Sequence, residues 1–275
     1  MQISSDALQT GEGGRVSIWA DDTTQYLGEI SATGGRLGGN GGQVEVSGKE
    51  SLLFAGGVDT RAENGLAGSL LLDPENILIT NEQPGADDAA LSDYEIRAND
   101  GFELMTISAA ALESLAESSS ITLEATNNIV VENLDDDALT FSSAVGGITF
   151  TADSDRNRNG SVIFRDRNDT LLAPGRSLNL SGKFLFLGYL DTSSPEGGGA
   201  GSLQATSAIR TGNIDTSSTL SLGGDVNLNA ASSVTTGIIR TEGATGAGIF
   251  NSISSTSSIS TGALFIGGNN NANLN

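Results

Sequence analysis

The clearest cluster of oxygen-bearing side chains lies in the run ADSDRNRNG at residues 152–160. Four of its side chains fall at every second position: Asp153, Asp155, Asn157 and Asn159. This pattern is typical of calcium loops, because Ca²⁺ is a hard cation that takes about six to eight oxygen ligands. Arg156 and Arg158 interrupt the run, and Phe164 stands where the twelfth position of an EF-hand loop requires Glu. The sequence therefore predicts either a calcium site or a polar turn between two strands.

Two runs of neighbouring carboxylates, Asp87–Asp88 and Asp135–Asp137, are candidates for acid–base chemistry. A glycosidase needs two carboxylates at a fixed separation across a sugar-binding cleft, and Arg210 and Arg240 could act in such a site. A run of charge is more typical of a solvated loop, and the spacing places no two of these groups on one face. We therefore expect no catalytic residue. A polysaccharide-degrading enzyme of the lyase or hydrolase type is the alternative to a protein that is not an enzyme.

Four aromatic residues could stack on sugar rings: Trp19, Phe54, Tyr94 and Tyr189. Isolated aromatic side chains in repeat proteins more often fill or cap the core. The glycine pairs lack the Lys-Ser/Thr that a phosphate-binding loop needs, so the sequence excludes that motif.

Composition excludes several classes of protein. The chain has no cysteine and no histidine, which rules out disulfides, thiolate metal sites and every Ser-His-Asp arrangement. Its 34 acidic and 13 basic residues give a net charge of −21, which disfavours binding to nucleic acid and to anionic membranes. No apolar run is long enough to span a bilayer, so we expect no transmembrane segment.

A recurring phrase, glycine followed by alternating apolar and polar residues, indicates the elements that carry these side chains. It appears as GGRVSIWA, GGQVEVSG and AGSLLLDP, and later as GGITFTAD, AGSLQATS and GGDVNLNA. Gly14, Gly42 and Gly68 mark intervals of 28 and 26 residues, a period typical of solenoids. The period-2 alternation indicates strands. We predict an all-β fold, a right-handed parallel β-helix of roughly ten coils. An antiparallel sandwich is the alternative, since Asn-Gly pairs typical of hairpins also occur.

The repeat divides the chain into three parts. Residues 1–80 and 121–275 read as β-helix coils, most regular from 185 to 268, where Leu190, Ile214 and Ile239 are expected to stack. Residues 81–120 break the period and read as a loop and a short helix inserted on the solenoid. The helix is predicted over 108–116, with Ser108 as its N-cap.

Residues 13–80 resemble the filamentous haemagglutinin-like exoproteins of two-partner secretion systems in Gram-negative bacteria. The most specific phrases are WADDT, VEVSGK and LLLDPENI, at Trp19–Thr23, Val44–Lys49 and Leu70–Ile77. The runs at 107–131 and 139–153 and the GNIDTSS phrase at 212–218 are similar to cyanobacterial members. The N-terminal secretion module and signal peptide of that family are not in this sequence, so we expect a fragment of an exoprotein.

The resemblance implies a structural or adhesive segment of a secreted or cell-surface protein, presenting an extended binding surface. It implies export through an outer-membrane two-partner-secretion transporter, and surface glycans or proteins of another cell as partners. No cofactor is expected apart from the calcium candidate.

Overall fold

The structure, a computed structural model, describes residues 1–49, 51–81, 105–142, 146–254 and 256–267. Its contacts divide the chain into two compact units, Met1–Ile129 with Ala144–Gly146, and Val130–Ser143 with Gly147–Asn275. The described residues form about nine turns of β-solenoid, consistent with a right-handed parallel β-helix. Nearly all of the paired strands in the described residues run parallel. The predicted fold class is confirmed, and the antiparallel sandwich is wrong.

The strands of the first unit follow the predicted alternation of buried and exposed residues. They are β1 (Gln2–Ser4), β2 (Arg15–Ala20), β3 (Thr23–Tyr26), β4 (Glu29–Ser31), β5 (Gln43–Gly48), β6 (Ser51–Phe54), β7 (Gly57–Asp59), β8 (Ser69–Asp73), β9 (Ile77–Thr80), β10 (Met105–Ser108) and β11 (Ser120–Ala125). The division between the units falls within β12 (Ile129–Val131).

Equivalent strands of successive coils stack in register in this unit. The main sheet has the order β2-β5-β8-β11, and two smaller sheets are β1-β4-β7 and β3-β6. One inward residue of each strand in the main sheet joins a fully or largely buried column: Val16, Val44, Leu70 and Ile121. Burial of such columns is the main favourable term for folding, since each buried aliphatic side chain contributes about 1.5–3 kcal/mol.

The interrupted region contains the predicted helix, α1 (Ala109–Ala116). The Ser108 side chain accepts a hydrogen bond from the Ala111 backbone N–H at 3.1 Å, as an N-cap does. Leu112, Leu115 and Ala116 of the helix are buried.

One part of the insertion differs from the expectation. Residues Met105–Ser108 form β10, which pairs in parallel with β9 so that Met105 lies opposite Ile77 and Ile107 opposite Ile79. Both β10 side chains are buried, and this pairing explains why four residues that precede a helix are extended. The predicted loop before them, 82–104, lies outside the described residues.

The second unit contains the remaining strands. They are β13 (Ala138–Thr140), β14 (Ile148–Ala152), β15 (Val162–Phe164), β16 (Thr170–Leu172), β17 (Leu178–Phe186), β18 (Tyr189–Asp191), β19 (Gly201–Arg210), β20 (Ile214–Asp215), β21 (Val226–Ala230), β22 (Val234–Thr235), β23 (Ile239–Arg240), β24 (Phe250–Ser254), β25 (Ile259–Ser260) and β26 (Leu264–Phe265).

Two long ladders order the second unit. One runs β14-β17-β19-β21-β24, and the other runs β13-β16-β18-β20-β23-β26. In the second ladder Leu190 lies opposite Ile214, and Ile214 lies opposite Ile239. The predicted stack of these three residues is confirmed, and all three are buried.

A repeated corner joins consecutive strands in the second unit, and we call it the threonine clamp. In each clamp a buried threonine donates its hydroxyl to a glycine carbonyl, and the same glycine N–H donates to the threonine carbonyl. The hydroxyl distances are 2.6, 2.6 and 2.9 Å for Thr192–Gly199, Thr216–Gly224 and Thr241–Gly248. A Cβ atom on Gly224 would collide with the Gly199 carbonyl of the neighbouring coil. The clamp therefore requires glycine, because two backbones approach closely there.

Candidate functional site

The predicted calcium loop forms a tight polar turn after β14. Asp153 is 6% exposed, and its Oδ1 accepts the backbone N–H groups of Arg158 at 2.6 Å and Asn159 at 3.3 Å. Asp155 accepts two hydrogen bonds from Asn157, from the backbone N–H at 3.2 Å and from Nδ2 at 2.7 Å. These bonds turn the carboxylates toward their own loop, where they fix its conformation.

Among the described residues, no group of three or more carboxylate, histidine or cysteine side chains is arranged to hold a metal ion. The loop at 153–159 offers two carboxylates and two amides. Calcium binding by Asp153, Asp155, Asn157 and Asn159 stays a prediction.

The carboxylate runs are placed as follows. In the run Asp135–Asp137, Asp136 accepts a 3.4 Å hydrogen bond from the N–H of Ala138, the first residue of β13, and Asp137 has a φ of 57°. Arg240 stacks on the Phe265 ring at 4.2 Å and approaches Glu242 at 3.5 Å. Arg210 lies at the exposed end of β19. The run Asp87–Asp88 lies outside the described residues.

The aromatic candidates differ in their exposure. Trp19 is 57% exposed and Tyr189 is 39% exposed, whereas Phe54 is buried against Tyr26, with ring centroids 6.2 Å apart. Tyr94 lies outside the described residues. Trp19 is therefore the most accessible of the three aromatic candidates that the structure describes.

Trp19 begins a row of side chains across the main sheet of the first unit. Trp19 lies opposite Ser47, and Ser47 lies opposite Asp73. Glu124 follows the Leu123–Leu72 pair and so continues the row beside Asp73. Successive members stand one strand spacing apart, about 4.8 Å. We call Trp19, Ser47, Asp73 and Glu124 the Trp19 row.

Glu45 borders the Trp19 row on β5. Its Oε2 accepts hydrogen bonds from Ser17 Oγ at 3.1 Å and Arg15 Nη2 at 3.4 Å, and its Oε1 accepts one from Ser47 Oγ at 3.4 Å. The Arg15 side chain is 70% exposed, so this ion pair contributes little to stability. The hydrogen bond from Ser47 places the Glu45 carboxylate beside the row.

Asp73 has an unusual protonation equilibrium. Burial first, and then the negative charges of Glu124 and Glu45, raise the pKa of Asp73 to about 6. A carboxyl group with this pKa exchanges its proton near neutral pH. The row can therefore either donate a proton or receive a cation, depending on pH and on what approaches it.

A second, uncharged surface lies on the outer side of the β14-β17-β19-β21-β24 ladder, and we call it the amide face. One row consists of Thr149, Asn179, Ser202, Asn227 and Asn251. The neighbouring row contains Thr151, Ser181, Gln204 and Asn229. Within the first row, Asn251 Nδ2 donates to Asn227 Oδ1 at 2.9 Å. The face presents donors and acceptors at one strand spacing.

A groove of about 700 Å³ in the first unit is lined by polar and apolar side chains, among them Arg36, Arg61, Asp59, Glu63 and Leu66. The Arg61 guanidinium is held by Asp59, with Nε–Oδ1 at 2.9 Å and Nη2–Oδ2 at 2.5 Å. The charge of Arg61 is therefore satisfied within the groove.

Sequence reasoning missed Asp73, Glu45 and Glu124 as a group. Alignment of GGQVEVSG with AGSLLLDP would have placed Ser47 beside Asp73. Glu124 belongs to the first strand after the interruption, where the glycine phrase is missing, so no repeat signal aligned it with the earlier coils.

In the part of the chain that the structure describes, no helix has the length and apolar composition needed to cross a membrane. A scan against models of protein families gives no match. A search of curated proteins gives no match either.

Proposed function

We propose that this chain is a structural and adhesive segment of a secreted or cell-surface β-helical exoprotein. The observation that carries the proposal is the amide face, where outward side chains of five successive strands lie in register. Such a face repeats one weak contact many times along a partner, and linked weak contacts bind more tightly than each alone.

The family part of the proposal rests on the phrases within residues 13–80. Their resemblance to filamentous haemagglutinin-like exoproteins, together with the similarity of residues 107–131, 139–153 and 212–218 to cyanobacterial members, supports export through an outer-membrane two-partner-secretion transporter. It also supports surface glycans or proteins of another cell as partners.

Adhesion is tested with beads that carry the purified chain. Coated beads are expected to retain cells of the natural community better than beads coated with another protein of similar net charge. Replacement of Asn227 and Asn251 by Asp places two like charges opposite each other, and should reduce retention at least twofold. The matched control, Thr219→Asp with Ser257→Asp, adds the same charge at exposed positions outside the amide face. Equal retention by both variants would remove the amide face from the proposal.

Location is tested in the source cells with an epitope tag on the chain. Antibody is expected to label intact cells, protease added outside should remove the label, and deletion of the cognate transporter should abolish it. A label that appears only after lysis would overturn the surface proposal.

One observation favours a second candidate, a polysaccharide-degrading enzyme. Asp73, whose pKa is raised to about 6, lies beside the carboxylate of Glu124, and a glycosidase uses two carboxyl groups, one of which is the acid with a raised pKa. Incubation with uronic-acid and neutral polymers, followed by assays for new reducing ends and for unsaturated products, tests it. Turnover that is lost in Asp73→Asn would establish the enzyme over the scaffold.

A further inference from the structure

We infer that the Trp19 row binds a cationic saccharide, a chain of amino sugars whose amines are free. This inference names a ligand class for the adhesive role and so rests on the proposed function. It concerns residues other than those of the amide face, and it is tested on the purified chain alone.

The first step is the aromatic platform. Trp19 is the single tryptophan of the chain, it lies on the solvent side of β2, and more than half of its surface is accessible. An ammonium group over an indole is attracted by the negative face of the ring, and indole is the best of the aromatic side chains for this contact. The apolar face of a sugar ring packs on the same surface.

The second step is charge. Asp73 and Glu124 follow Trp19 in the row, and Glu45 borders it. The negative charges of Glu124 and Glu45 each disfavour ionisation of Asp73. A cation placed over the row therefore reduces the repulsion among the three carboxylates. The net charge of −21 also steers cationic ligands toward the chain.

The third step is spacing. Members of the row stand about 4.8 Å apart, whereas side chains on one face of an extended peptide recur at about 6.8 Å, twice the rise per residue. A pyranose ring with its glycosidic link spans close to one strand spacing. A sugar chain that runs across the strands therefore places successive rings along Trp19 and the two carboxylates, with the buried Ser47 between them, and a basic peptide does not keep this register.

The experiment follows the fluorescence of Trp19 while the intact chain is titrated with a glucosamine hexamer near pH 6.5. A saturable change is expected. The fully N-acetylated hexamer has the same rings without the charge, and should bind at least about tenfold more weakly. Asp73→Asn and Glu124→Gln should each weaken binding of the glucosamine hexamer several-fold.

The matched control is Glu196→Gln, which removes the same charge from an exposed turn of the second unit. It should leave the affinity within twofold of the wild type. An equal loss in Glu196→Gln would show that the ligand responds only to net charge, and would overturn the site. Equal affinity for the two hexamers would overturn the cationic ligand.

Hexalysine distinguishes the other class of partner. If it binds the row more tightly than the glucosamine hexamer, the partner is a basic protein segment and the saccharide assignment fails. If no hexamer binds while coated beads still retain cells, this inference fails and the adhesive role stands.

Discussion

Asp6 is a single carboxylate that organises the first corner of the chain. It accepts hydrogen bonds from Ser4 Oγ at 2.7 Å, Ser31 Oγ at 2.5 Å, and the Thr33 backbone N–H at 2.7 Å and Oγ1 at 2.9 Å. Burial alone would raise the pKa of Asp6, but these four bonds outweigh it and lower the pKa to about 2. The carboxylate thus ties the segment after β1 to the segment after β4.

Replacement of Asp6 by Asn should therefore remove a contribution to folding stability that is itself lost in acid. A carboxyl group with a lowered folded-state pKa stabilises the fold above its unfolded pKa of about 4, and the stabilisation is lost as the pH falls toward 2. We expect Asp6→Asn to be less stable than the wild type at pH 7, with a difference that narrows between pH 4 and pH 2. Urea unfolding followed by Trp19 fluorescence measures it. A pH-independent difference would contradict the assigned hydrogen bonds.

For Asp73 we expect the opposite dependence of stability on pH. Its folded-state pKa is raised to about 6, so the wild type gains stability relative to an Asp73→Asn variant as the pH falls from about 6 to about 4. At pH 7.5 the variant should be the more stable protein, because it lacks the disfavoured charge. The same fluorescence assay at pH 7.5 and pH 4.5 checks this, with Glu196→Gln as the comparison. A wild type that is more stable than Asp73→Asn at pH 7.5 would count against the row as described.

At the scale of elements, each threonine clamp closes the corner between two consecutive strands of the second unit. Thr216 Oγ1 contacts two carbonyl oxygens, Gly224 O at 2.6 Å and Arg240 O at 3.2 Å. Thr216 is 1% exposed, so water cannot replace these bonds.

Thr216→Val should cost about 1–3 kcal/mol of unfolding free energy, because it leaves a buried carbonyl without its donor while it keeps the side-chain shape. Thr235→Val on β22 is the matched control, since its side chain is only partly buried, and should change stability by less than about 0.5 kcal/mol. Hydrogen exchange of the Gly224 amide in both variants locates the effect. Equal costs in the two variants would mean that the clamp adds nothing beyond ordinary packing.

Much at this scale was predictable from local pattern. Strict alternation located β2, β5 and β8, and an N-cap serine followed by an alanine-rich run located α1. Strands β3 and β6 were both missed. The sequence of β3, TTQY, is polar, although Thr24 and Tyr26 are buried and their hydroxyls donate to the carbonyls of Ser47 and Glu29. A strand of polar sequence can therefore face the core when hydrogen bonds satisfy its buried polar atoms, and the apolar–polar pattern does not reveal it.

The candidate site was less predictable than the fold. Trp19 was identified as a possible platform by its residue type, but its exposure depends on which side of β2 faces the core. The proximity of Asp73 to Glu124 depends on the register between β8 and β11. That register is long-range, and the irregular stretch between the two strands removes the period that would have revealed it.

At the scale of the whole molecule, net charge is the property that solution conditions change most readily. The excess of 21 negative charges at pH 7 makes the folded chain repel itself, and salt screens that repulsion. Raising NaCl from 20 to 300 mM at pH 7 is therefore expected to raise the thermal midpoint by several degrees. Near pH 4.1, the isoelectric point, the same change should have little effect. Calorimetry at both pH values tests this, and a salt response that is equal at both would contradict it.

The absence of histidine from the sequence also shapes the response to pH. Histidine is the side chain that ordinarily titrates between pH 5 and 8. Among the described residues, Asp73, whose pKa is raised to about 6, titrates in that range. Mild acidification therefore acts on Asp73.

The threonine clamp has an evolutionary consequence. The same two residue types, threonine and glycine, close each of the three corners. A duplicated gene segment that encodes one coil would therefore also encode its own clamp, and the new coil would pack on the original coil through contacts that already exist. The segments between clamps differ in length, since the clamp threonines Thr192, Thr216 and Thr241 are 24 and 25 residues apart. Copy number, rather than point substitution, is then the simplest way for such a lineage to change its reach.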